Sequence, residues 1–260
     1  MSIYCKIAGF VLGSFASGLS FSDSVQGDNG AIEIQTLLHS SVQLEYQGMV
    51  IQVDPWDRLG LEGAKPADLI LITDDVDHHL DQAAISRLRK PGATIVVATN
   101  GADDISDGLV LANGESREVT GVRIEAVAAY DIIPGAPEHP KGEANGYLVT
   151  LGGKRIFFAG VTECVDEVKA LEGVDVAFLP MNIPVGRMVP AAVAECARIL
   201  NPEILYVYHY DQDYVRRLSQ PDYVGSPLPD NLTVAQTLEK LRQDLQSSAI
   251  ELRIGNFYPQ

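Results

Sequence analysis

Positive charge is in short supply in this chain. Its 19 lysines and arginines face 35 aspartates and glutamates, leaving a formal net charge of −16. Phosphate backbones and anionic lipid surfaces are gripped by clustered Lys and Arg, so a nucleic-acid partner and an anionic membrane are both disfavoured. Small-molecule chemistry or a protein partner is left. No glycine-rich phosphate cradle surrounds Lys141-Gly142, which excludes a nucleotide site there. No internal repeat shows itself, and no Pro/Gly/Ser-rich linker interrupts residues 30–257, so that stretch reads as one domain.

Long apolar runs are also missing. The longest, Ile7 to Phe21, follows Lys6, is seeded with Gly, Ser and Ala, and gives way to a polar stretch. It is too short and glycine-rich for a membrane span. A short basic start, an apolar middle and small residues near Gly18 and Ser22 are the layout of a secretory signal. Residues 1–22 are therefore expected to be a leader, and the mature chain to be exported, periplasmic or extracellular, with no membrane span. Cysteine is scarce too. Besides Cys5 in the leader there are only Cys164 and Cys196; their spacing does not show whether they can pair, and they are read as two buried, small apolar residues.

What is present is an ordinary globular composition, 46% hydrophobic and 21% charged. Strands are predicted from Ile32 to Leu38, Val42 to Tyr46 and Met49 to Val53. Asp68 to Ile72 is a continuous apolar run suited to a strand buried on both faces. A helix is expected from Asp81, with acid at its start and Arg87 near its end. Further strands are expected at Thr94 to Ala98, Val122 to Ala128, Tyr147 to Leu151 and Arg155 to Ala159. Then come a helix from Cys164 to Leu171, a strand to Leu179, a helix from Pro190 to Leu200 and a strand from Ile204 to Tyr208. An amphipathic helix from Thr233 and a last strand, Ile250 to Ile254, follow. Strands open each half and helices follow. That pattern calls for two sheets face to face with helices outside.

The five histidines all fall at strand ends or in loops: His39, His78, His79, His139 and His209. Loops at strand ends are where side chains from distant segments converge. The adjacent pair His78-His79, after one buried strand and ahead of a helix, is the best single pointer to a metal site.

The order of these motifs resembles the metallo-β-lactamase superfamily, and within it the branch of ascorbate-6-phosphate lactonase-like and related exported hydrolases. His39-Ser40-Ser41 with Val53-Asp54-Pro55-Trp56 is similar to that branch's opening strands, and the segment from Leu71 to Asp81 to its metal-binding loop. His139-Pro140-Lys141-Gly142 with Asn145-Gly146-Tyr147, then Gly152 to Gly160, Pro180-Met181-Asn182 and Tyr208-His209-Tyr210 follow in family order. The resemblance implies an α/β, four-layer αββα sandwich and a metal-dependent hydrolase of a lactone, ester, amide or phosphoester.

The family's metal loop, His-x-His-x-Asp-His, is altered here. With Leu80 and Asp81 matched, Asp74 and Val76 stand at the two leading histidines, His78 stands at the aspartate, and only His79 is kept; the alternative register takes Asp77-His78 as the Asp-His pair. The family's bridging aspartate is Val161. Two divalent ions a few ångströms apart need bridging and ligating anions to neutralise them. One ion is therefore expected, held by His78, His79 and His209 with His139 or Asp74 as a further ligand. His39 and Asp54 are expected to orient the ligands from behind. Three or four imidazoles suit Zn²⁺ and also Cu, Ni or Fe. Asp74 is the candidate to accept a proton from water. The alternative is a binding or regulatory protein on a scaffold that has lost its dinuclear site and its catalysis.

Overall fold

The apolar run ending at Ile72 forms a central strand with both faces covered, as its composition requires. The computed structural model describes residues 22–258 except 60, 135–138, 226–227 and 229–230. The expected leader, up to residue 21, lies outside the described residues.

In the first half the chain forms β1 (Ser22–Gly27), β2 (Gly30–Thr36), β3 (Val42–Tyr46), β4 (Met49–Val53), β5 (Ala67–Ile72), α1 (Gln82–Leu88), β6 (Arg89–Val97) and β7 (Leu109–Val110). The second half gives β8 (Ser116–Val119), β9 (Val122–Ala129), β10 (Ala144–Leu151), β11 (Lys154–Phe158), α2 (Asp166–Lys169), β12 (Val176–Pro180) and α3 (Pro190–Leu200). It ends with β13 (Ile204–Tyr208), α4 (Gln212–Ser219), α5 (Val234–Leu245) and β14 (Glu251–Arg253).

Each half builds one seven-stranded sheet whose strands lie side by side in chain order. Both sheets open antiparallel, through β1–β4 and β8–β11, and finish parallel. The two halves thus repeat one topological plan that no sequence similarity between them reveals. The larger core lies between the sheets: Ile51, Leu69 and Leu71 from the first share one cluster with Leu148, Phe157 and Phe178 from the second. Strand alternation sends Ile70 and Ile72 to the opposite face, where they pack with Ile85 of α1. On the far side of the second sheet, Val193 and Ala197 of α3 and Leu241 of α5 extend the same packing. The result is the expected αββα sandwich. No helix among the described residues is long and apolar enough to cross a membrane.

The helix ends follow local rules. Thr233 and Gln236 form a reciprocal capping box at the start of α5. Pro190 opens α3, and Asn201 closes it in the left-handed region.

Three local expectations are corrected. The polar stretch after the apolar run is strand β1, an edge strand that pairs with β2 through its backbone and buries only alternate residues such as Val25. The helix expected from Cys164 to Leu171 shrinks to the single turn of α2. Cys164 and Cys196 are not separate thiols but a disulfide, with Cα atoms 5.7 Å apart. It pins the segment after β11 to α3.

Candidate metal centre

The site assembles where strands of both sheets end. His39 lies in the turn between β2 and β3, Asp54 directly follows β4, Thr73 and Asp74 follow β5, and His209 follows β13. Three of these, His39, Asp54 and His209, take left-handed φ values of 57°, 43° and 60°. Non-glycine residues avoid that region, and such strain concentrates at functional sites. The two sheets are joined here, since the His209 N–H donates to the His39 carbonyl at 3.2 Å.

Four imidazoles crowd together. Ring centroids are 3.8 Å apart for His39 and His209, 4.6 Å for His78 and His79, and 5.0 Å for His39 and His78. One ring nitrogen each from His39, His78 and His209 lies within 4.8 Å of the others. The Nε2 atoms of His78 and His209 are 3.4 Å apart.

The opposite ring nitrogens are held from behind. His79 Nδ1 is 2.7 Å from Asp54 Oδ2, and Asp54 also accepts the Thr73 N–H at 2.8 Å and the Thr73 hydroxyl at 2.6 Å. A carboxylate only accepts, so Nδ1 carries the proton and Nε2 of His79 presents its lone pair. His39 Nδ1 meets the Tyr258 hydroxyl at 2.8 Å, and His209 Nδ1 meets the Gln212 side-chain amide at 2.5 Å. The Nε2 atoms of His39 and His79 are buried and have no hydrogen-bond partner among the described residues. Buried polar atoms are nearly always paired, so two bare nitrogens in one histidine cluster fit a ligand that accepts lone pairs.

Electrostatics agree. Burial, then repulsion from His78 and His79, holds His39 well below the usual imidazole range. Burial does the same to His209, reinforced by the surrounding histidines. His78 is pushed down to about 4 by burial and by His79. Neutral imidazole is the form that binds metal.

Asp74 and His139 are brought to the same place, but they face each other. His139 Nε2 is 3.2 Å from Asp74 Oδ2, and Asp74 Oδ1 accepts from Asn100 at 2.6 Å and from the Asp75 N–H at 2.9 Å. Burial works against the Asp74 charge, yet the His139 hydrogen bond and the nearby imidazoles hold its carboxyl at about 2. Such a group is a feeble base. Behind His139, Nδ1 lies 3.3 Å from Asp131 Oδ2, while the other oxygen of Asp131 pairs with Arg187. Both of those side chains are completely buried.

The structure thus places the expected residues in two groups. His78, His79 and His209 meet, with Asp54 behind His79. His39, expected behind the ligands, lies instead beside His78 and His209, one nitrogen of each within 4.8 Å of the others. Asp77, the first residue of the alternative register, points to solvent. Sequence reasoning missed Tyr258, Gln212, Asp131 and Arg187. Only Arg187 carried a signal, as a lone charge in the apolar run from Ile183 to Val189.

Val76, Val161, His78, His139, Arg187 and His209 help to line a cleft of about 370 Å³. A larger cleft, about 470 Å³, opens between β2 and β14 and contains no histidine. Its charges satisfy each other, with Arg253 at 2.8 Å and Tyr206 at 2.6 Å from Asp23.

Comparison with known proteins bears on the first cleft. The profile of the β-lactamase superfamily domain matches residues 33–209. A UPF0173 metal-dependent hydrolase of Thermus thermophilus is 28% identical over 193 residues, which covers 69% of this chain and 84% of that protein. Another of that group, from Pyrobaculum neutrophilum, is 25% identical, covering 74% and 90%. Among solved structures, a candidate metal-dependent hydrolase of Parabacteroides distasonis superposes with a TM-score of 0.77 at 32% identity, covering 91% of this chain and 99% of that one. A metallo hydrolase of Ignicoccus hospitalis gives 0.63 at 20% identity, covering 86% and 94%, which is a likeness of fold.

Proposed function

The chain belongs to the β-lactamase superfamily and is a metal-dependent hydrolase of that fold, and from this premise we propose that it works with one metal ion held by histidines. The ligands are His78, His79 and His209, with His39 as the fourth. What carries this reading is the meeting of one ring nitrogen each from His39, His78 and His209 within 4.8 Å of the others, with the His79 ring 4.6 Å from that of His78 and the Nε2 atoms of His39 and His79 buried without a partner among the described residues. An all-imidazole set suits Zn²⁺, which is our choice, ahead of Cu, Ni or Fe. A second ion finds few ligands among the described residues: Val76 and Val161 offer none, and Asp74 Oδ2, though buried without a hydrogen bond, is 3.2 Å from His139 Nε2.

A bound divalent ion supplies Lewis acidity toward a carbonyl or phosphoryl oxygen and acidifies water. The remaining tasks fall to the chain. Asp54 fixes the tautomer of His79, and Tyr258 and Gln212 set the rings of His39 and His209. His139 is fixed in the cleft wall between two carboxylates, Nε2 toward Asp74 and Nδ1 toward Asp131. Asp74 keeps its charge and holds that ring in place, a role that replaces proton abstraction.

The substrate is a small molecule with a lactone, ester, amide or phosphoester bond. The Cys164–Cys196 disulfide supports work in an oxidising compartment, in line with export. The experiment is hydrolysis of p-nitrophenyl acetate and bis(p-nitrophenyl) phosphate by metal-free and Zn²⁺-loaded protein. Turnover of at least one should appear on loading, vanish with dipicolinate and be absent in His79→Ala. Turnover that ignores chelation overturns the reading. The thin supply of carboxylates supports a second reading, a binding protein on a retired scaffold; purified protein with neither metal nor turnover would establish that instead.

A further inference from the structure

Six large apolar side chains are exposed among the described residues: Leu59, Val110, Ile132, Val185, Ile199 and Val224. Four of them stand on segments that border the histidine cleft. Ile132 follows Asp131, and Val185 sits between the cleft-lining Pro184 and Arg187, so the two flank the buried Asp131–Arg187 pair. Val224 follows Tyr223, whose hydroxyl accepts from the cleft-lining Arg216 at 3.0 Å. Leu59 follows Arg58, which donates to the Leu218 carbonyl of α4 at 2.9 Å, and α4 forms one wall of the cleft. Exposed apolar residues are ordinary when scattered, but four on segments next to one cleft call for an explanation.

Val185 is the most telling. Its φ is 67°, within a turn where Gly186 and Met188 are also left-handed, at 75° and 46°. A β-branched residue avoids that conformation more than any other class. The side chain is 63% exposed, so it gains little from the fold in return. Asn or Gly would suit the backbone better. A valine kept outward under strain is accounted for by contact with something that is not part of the chain.

The inner end of the cleft has the opposite character. His78, His139, His209, Arg187 and Arg216 line it, and Asp77 is the only carboxylate among its described lining residues. With Arg187 paired to Asp131 behind the wall, what this end offers a polar head is ring nitrogens and the Arg216 guanidinium.

We propose that the substrate is a small amphiphile. Its anionic or anion-forming head sits against the histidines and its alkyl or aryl group rests on a lip formed by Ile132 and Val185. This specificity rests on the cleft being the site of hydrolysis, as proposed above. Leu59 and Val224 continue the apolar border on the α4 side.

The test is calorimetric titration of the full chain, with and without Zn²⁺, using linear carboxylates from acetate to octanoate. Full burial of a methylene is worth roughly fourfold in affinity, so an open lip should give about twofold per methylene beyond butanoate. The Ile132→Ser/Val185→Asn double variant should flatten the series to less than about 1.5-fold per methylene. It should also melt no lower than the parent, because Asn tolerates the left-handed turn. Equal affinity for acetate and octanoate overturns the lip, as does a series equally steep in the double variant, or no binding of any member. A steep series in protein with no metal and no turnover upholds the lip and sinks only the hydrolytic reading. A flat series in active, metal-loaded protein does the reverse.

Discussion

Nδ1 of His79 and Oδ2 of Asp54 lie 2.7 Å apart, both side chains essentially removed from solvent, so one carboxylate decides which nitrogen of the ring faces the cluster. Replacing Asp54 with Asn keeps the shape and removes the charge. Groups that orient metal-binding histidines typically change affinity by about 10–100-fold when lost. Asp54→Asn is therefore expected to weaken Zn²⁺ binding by about that factor in competition with a chromogenic chelator, while the protein stays folded. Unchanged affinity would mean that His79 is not a ligand.

The metal-free protein should lose stability in acid, in a definite window. The folded-state values of His39, His78 and His209 are depressed by burial, so the unfolded chain binds more protons than the native one as pH falls. Stability is complete above the ordinary imidazole value near 6.5 and is lost on the way down, to about 4 for His78. Asp74 adds a second loss between its ordinary 3.8 and about 2. Each depressed histidine contributes at most about 1.4 kcal/mol per pH unit. Urea unfolding between pH 4 and 8 should show the slope, and His78→Gln should flatten it.

Reducing the Cys164–Cys196 bond should loosen the cleft as well as the fold. The cysteines are 32 residues apart, which for loop-closure entropy corresponds to about 3–4 kcal/mol. For a chain of this size that is a fall of about 6–16 °C in melting temperature. The tethered segment also carries Glu163, whose buried carboxylate accepts the N–H groups of Ile132 and Ile133 at 2.6 and 2.8 Å beside Asp131. Melting curves with and without a phosphine reductant, and of Cys164→Ala/Cys196→Ala, check this. An unchanged midpoint would show that the bridge is not formed.

Much of the fold could be read from the chain because its strands are apolar runs and its helices have clean ends. Ile70 and Ile72 alternate with Leu69 and Leu71 on two covered faces, and Thr233 and Gln236 announce a helix by themselves. Strand β1 escaped notice because a polar edge strand is specified by its partner's backbone rather than by its own composition. The site was legible where histidines are scarce and stand at strand ends. Which histidine faces which was not legible. That depends on contacts across long separations, such as His39 with Tyr258 or His139 with Asp131 and Arg187, and on left-handed turns at His39 and His209. No local pattern encodes them.

One ion per chain on a set of imidazoles is tested most directly by elemental analysis of the intact protein, purified without chelator and then dialysed against Zn²⁺. Close to one equivalent is expected, falling below about 0.2 in the His78→Ala/His79→Ala variant, whose fold should survive because the cluster lies in loops at the strand ends, outside the two sheets' core. Two equivalents per chain, or one that persists in the double variant, would contradict it.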